Sequence, residues 1–101
     1  MAKYSNIVRF VVDASNQDAF INAFANFPDC YGLLSHILIK TGEDTFCSCG
    51  VWQNKDAMDN AMPEMISLLN ENRHLLENIS PELGVTDPVS GSIVFEQDLQ
   101  T

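Results

Sequence analysis

Cations are scarce in this chain: Lys and Arg number 5 against 14 Asp and Glu, giving a formal net charge of -9 at pH 7. Phosphate backbones and anionic lipid surfaces are bound by basic patches, so this balance argues against nucleic acid and membrane as partners. No stretch approaches the ~20 consecutive apolar residues of a membrane span. The opening MAKYSNIVRF has no charged segment leading into a long apolar run, so no signal peptide is expected there. Cysteine is limited to 3, an odd number without framework spacing, and reduced thiols in a cytoplasm are the expected state. Phosphate loop, G-x-S-x-G elbow, dinucleotide fingerprint and H-E-x-x-H pair are all missing. No cofactor and no metal are therefore expected.

What the chain does have is apolar side chains, 46% of its 101 residues. That is enough for one domain with a real core, spanning residues 1–101, and too little for two. A domain of this size buries a modest share of its surface, which favours self-association.

The pattern reads strand, helix, strand, strand, helix, strand. The first strand, about 6–13, is rich in Val, Ile and Phe. Asn6, Val8, Phe10 and Val12 fall on one face, Ile7, Arg9 and Val11 on the other, so both faces call for cover. Asp13, Ser15 and Asn16 are capping candidates for a helix over 16–27. Phe20, Ala23, Phe24 and Phe27 form its buried stripe. Strands over 33–40 and 45–52, joined by the turn TGED, make a hairpin. A second helical region covers 54–78 and should break or kink at Pro63, because proline fits a first helical turn and not an interior. Met65, Leu68, Leu69, Asn72, Leu75, Leu76 and Ile79 line one side of it, with His74 nearly opposite and facing solvent. The stretch 80–91 is dense in Pro, Gly and Ser and reads as loop, with a last strand at 92–97.

Candidate chemistry is sparse. Cys47 and Cys49 share one strand face about 6.5–7 Å apart, beyond the reach of a disulfide between unmoved backbones. A structural zinc needs about four ligands in two pairs, and no second pair is present. Both cysteines thus read as packing residues. His36, inside SHILI, is a satisfied core or interface group or a general base. Arg9 holds a substrate oxygen, or pairs across strands with Glu96 or another acid. Trp52 walls an aromatic ligand pocket or packs beneath the following helix. Tyr31 and Asn6 are polar-tipped groups at strand edges that can line a site. Asn6 and Arg9 have opposite parity, so without a bulge they do not share a pocket.

The β-α-β-β-α-β order is ferredoxin-like, an α+β class with a four-stranded antiparallel sheet. Within it, SCGVWQNKDAMDNAM resembles the strand-to-helix passage of the antibiotic biosynthesis monooxygenase-like superfamily. There an apolar-Trp pair ends a strand and is followed by a polar turn, an acid, Ala and an amphipathic helix. Val51, Trp52, Gln53 to Lys55, Asp56 and Ala57 fill these places. NIVRFVVDASNQDAFINAF is also similar to the opening strand and helix of that superfamily.

The resemblance implies a dimeric α+β barrel, in which two sheets pack face to face and the ligand cleft lies between sheet and helices. It implies a homodimer through the open sheet face and a small-molecule ligand. The activity it implies is a cofactor-independent monooxygenase acting on a small aromatic or phenolic substrate, with His36 and Arg9 as catalytic candidates and Trp52, Asn6 and Tyr31 as substrate-binding ones. The alternative is a non-catalytic dimeric small-ligand-binding or stress-associated protein. Asn6 matches the strand-one Asn of the superfamily's haem-degrading branch. That branch's Trp and His positions fall near Ala61 and Glu71, so its set is incomplete here.

Overall fold

The computed structural model describes residues 2–97. The chain runs β1 (Tyr4–Val11), α1 (Gln17–Ala25), β2 (Leu33–Lys40), β3 (Thr45–Trp52), α2 (Lys55–Asn72) and β4 (Asp87–Ser92), with short 3-10 turns at Ala14–Asn16 and Arg73–Leu75. The sheet has four strands in the order β2-β3-β1-β4, and every neighbouring pair is antiparallel. This is the expected ferredoxin-like α+β fold.

The hairpin forms where local chemistry asks for it. β3 alternates half-buried and buried along its length, placing Phe46, Ser48, Gly50 and Trp52 on one face and Cys47, Cys49 and Val51 on the other. Asp13 accepts the Ser15 amide and caps the turn that leads into α1. Asn54 does the same for α2, accepting the Ala57 amide at 2.8 Å. Gly32 lies at φ +83, and a Cβ there would sit 2.5 Å from that of Ala57. The chain can enter β2 beneath α2 only because this residue is glycine.

Three sequence expectations change. The last strand is Asp87–Ser92, inside the stretch that reads as loop. β4 is an edge strand paired to β1 alone, so Pro88 gives up no ladder bond that a second neighbour would need. Past its end, the Ile93 amide still donates to the Lys3 carbonyl at 2.8 Å, while Val94 and Phe95 are exposed. Secondly, α2 does not break at Pro63. Proline leaves the Asp59 carbonyl without its helical donor, but Asp59 and Pro63 both face water, which supplies the bond. Thirdly, the helix ends at Asn72 and tightens into a 3-10 turn, instead of running to 78.

The core has two clusters. Phe10, Val12, Phe20, Phe46 and Leu75 pack at one end. Phe20 is its hub, with ring centroids 5.2 Å from Phe10, 5.1 Å from Phe24 and 5.2 Å from Phe46. Trp52, Ala57, Met58 and Ala61 pack at the other end. Among the described residues, no helix lies over the opposite sheet face. One row across all four strands reads Ile37, Cys49, Ile7 and Val89.

Candidate functional site

Between sheet and helices lies a cavity of about 530 Å³ whose wall draws on both clusters, Phe10, Phe20 and Phe24 from one and Trp52, Met58 and Met65 from the other. That size is ordinary for a small-molecule site. Asn6, Val8, His36, Ser48 and Gly50 form part of the sheet side, and α2 adds Met62, Ile66, Leu68, Leu69 and Asn72. The stripe expected on the first helix, Phe20, Ala23, Phe24 and Phe27, lies along this wall.

Asn6, Gly50 and His36 form one row across β1, β3 and β2. Two strand spacings separate Asn6 from His36, about 10 Å. Trp52 lies further along β3 on the same face, opposite Tyr4 and Leu33. Its indole donates Nε1–H to Asn6 Oδ1 at 2.7 Å. Indole nitrogen is a donor only, so this bond settles which end of the amide is oxygen and leaves both Nδ2 hydrogens available. The bond crosses residue 50, where a Cβ would lie 2.6 Å from Asn6 Oδ1 and 3.2 Å from Trp52 Nε1. Gly50 is therefore part of the site, as the gap that lets the two side chains meet.

His36 is half-buried against Phe27 and Phe24, with centroids 4.7 Å and 5.4 Å away. Burial pushes its imidazole below the ordinary value of 6.5, so at pH 7 it is neutral. It also borders a second hollow of about 360 Å³ with Ile21, Phe46 and Lys40. A neutral imidazole and an amide N–H pair facing one apolar space can take a proton from a ligand hydroxyl and hydrogen-bond the oxygen left behind.

The remaining sequence candidates lie elsewhere. Arg9 is on the uncovered sheet face, ion-paired with Asp87 and away from the cavity wall. Its partner is Asp87 and not Glu96, because β4 lies earlier in the chain than its composition suggests and brings Asp87 opposite Arg9. Glu96 pairs with Lys3 at 2.8 Å instead. Tyr31 is 78% exposed and off the wall. Trp52 packs under α2 and also lies on the cavity wall. His74 is exposed, as its place opposite the apolar stripe predicts. Cys47 and Cys49 are free thiols on the outer face. Among the described residues no cluster of His, Cys, Asp and Glu could hold a metal, and no helix is long and apolar enough to cross a membrane. Sequence reasoning passes over Gly50 and over Met58 and Met62, which extend the stripe from Met65 into a methionine wall. The signal for the wall is there in the i, i+4, i+7 spacing.

No family model matches the chain, and no curated protein matches it. Solved structures do. The monooxygenase from the gene ActVA-Orf6 of Streptomyces coelicolor, in complex with Nanaomycin D, has a TM-score of 0.72 at 15% identity, covering 99% of this chain and 94% of that chain. SnoaB, a cofactor-independent oxygenase from Streptomyces nogalater, has a TM-score of 0.63 at 18% identity, covering 100% of both chains. A dimeric ferredoxin-like protein from an uncultured marine organism has a TM-score of 0.72 at 11% identity, covering 99% of this chain and 95% of that chain. At these identities the likeness is one of fold: the chain is similar to these structures in its ferredoxin-like sheet and the helices laid across it.

Proposed function

We propose that the protein is a cofactor-independent monooxygenase-like enzyme that oxidises a small aromatic or phenolic substrate in the sheet–helix cavity, and that it works as a homodimer. The observation that carries this reading is the polar row on the cavity floor. The Asn6 amide, fixed by Trp52, and the neutral imidazole of His36 face one largely apolar space. The fold shared with SnoaB and the ActVA-Orf6 monooxygenase supports it.

In this reading His36 accepts the hydroxyl proton and Asn6 Nδ2 donates to the developing oxyanion. The electron-rich anion gives an electron to O2, and the two radicals combine at a ring carbon as a peroxide. Loss of water then leaves a quinone. One oxygen atom of O2 ends in the quinone and the other in water, so no external reductant is consumed. Arg9 has no part in these steps, being paired with Asp87 on the far face. The dimer forms through the uncovered sheet face, where Ile7, Ile37, Ile39 and Val89 stand exposed.

Oxygen uptake across a panel of hydroquinones and anthrones tests the activity. Uptake with matching quinone formation is expected at neutral pH. It falls as the pH drops through the pKa of His36, which burial holds below the ordinary 6.5. His36→Ala and Asn6→Ala should each lose about 100-fold in rate. Apolar ligands that bind without uptake or product would favour the non-catalytic alternative, with which the largely apolar lining is also compatible.

A further inference from the structure

The cavity has polar groups and no charged one: among the described residues, no Asp, Glu, Lys or Arg lines it. The chain has 5 Lys and Arg, all of them described, and each is engaged elsewhere. Lys3 pairs with Glu96 at 2.8 Å, Lys55 with Asp59 at 2.7 Å, and Arg9 with Asp87. Lys40 borders only the second hollow, gives its ammonium to Gln17 Oε1 at 3.0 Å and lies 5.9 Å above the Phe46 ring. Arg73 donates to Asn70 at 3.2 Å on the exposed side.

An anion entering this space would lose its water among Phe, Leu and Met side chains and meet no fixed counter-charge, since burial disfavours the protonated form of His36, the titratable side chain on the wall. Desolvating an unpaired charge outweighs one new hydrogen bond. A net charge of -9 adds a repulsive field on the approach. His36, Ser48, Asn72, Thr86 and Ser90 are also on the wall, but the Asn6 amide is fixed in kind. With its oxygen taken by the Trp52 indole, Asn6 presents N–H donors, which suit a carbonyl or hydroxyl oxygen. The phenolate formed in turnover does not break this pattern, since its proton stays on His36 and the site remains neutral as a whole.

Resting on the reading of this cavity as the substrate site, we infer that it selects uncharged, oxygen-bearing aromatic ligands and rejects the same ring systems once they carry a carboxylate.

Trp52 is the chain's 1 tryptophan, is 1% exposed and walls the cavity, so its fluorescence reports occupancy without any need for turnover. The probes are 9-fluorenone, fluorene and 9-fluorenone-2-carboxylate. Fluorenone is expected to quench Trp52 with a Kd about fivefold below that of fluorene, the value of one hydrogen bond. The carboxylate should bind about 100-fold more weakly than fluorenone. Asn6→Asp keeps an acceptor for the indole but removes both N–H donors, and should erase the preference for fluorenone over fluorene. Met62→Lys adds a cation at the cavity rim, where Met62 is 39% exposed and the fold tolerates it, and should bring the carboxylate to within about tenfold of fluorenone. A carboxylate that binds wild type as tightly as fluorenone overturns the charge selection and leaves the cavity standing as a ligand site. Quenching by none of the probes overturns both the selection and the reading of the cavity.

Discussion

A methyl group at residue 50 would sit 2.6 Å from Asn6 Oδ1. Gly50→Ala therefore forces the Asn6 amide away from the Trp52 indole, which is buried and, among the described residues, has no second partner for its N–H. Overpacking and an unsatisfied donor act together here. The expected loss is about 1–3 kcal/mol of stability, with a shift in Trp52 emission as the indole is freed. Thermal melts and emission spectra of the variant check this, and unchanged values in both would mean that the backbone yields and Gly50 does not hold the site. The roles of Asn6 and Trp52 are half legible from their types, a polar tip and an aromatic wall. That they bond to each other is not, because the partners are joined by cross-strand register and a missing Cβ, neither of which is local.

Helix α2 carries most of the cavity's far wall and continues through Pro63. The proline still removes one backbone hydrogen bond, and its ring crowds the carbonyl one turn back. Since Asp59 and Pro63 are exposed, replacing the proline disturbs no packed contact. Pro63→Ala should stabilise the protein by about 1–3 kcal/mol, or ~4–8 °C in Tm per kcal/mol for a domain of this size. A Tm that stays level or falls would indicate that the bend imposed by proline is what lets α2 follow the sheet. Both helices and the central hairpin are legible because their periods, caps and turn are written in neighbouring residues. β4 is hidden for the converse reason: DPVSGS has poor strand propensity, and its pairing with β1, far away in sequence, makes it a strand.

For the whole molecule, the uncovered sheet face sets the expectation. Ile37 is 58% exposed at one end of the row that crosses Cys49, Ile7 and Val89. In the proposed homodimer a second copy covers this apolar row. Light scattering at low micromolar concentration should give a dimer for the wild type, and Ile37→Asp should shift it to monomer by placing an unpaired charge in the interface. A monomeric wild type would overturn the dimer. The demand for cover on both faces of β1 is already plain from its run of Val, Ile and Phe.

Local text thus carries the strand and helix periods, the caps, the fold class and the acidic surface, since each depends on residues within a few positions or on composition alone. The cavity, the bond between Asn6 and Trp52, the placement of Arg9 against Asp87 and the uncharged lining follow from which strands pair and in what register. Those are long-range choices set by packing over the whole sheet, and they convert a short set of unremarkable side chains into a site.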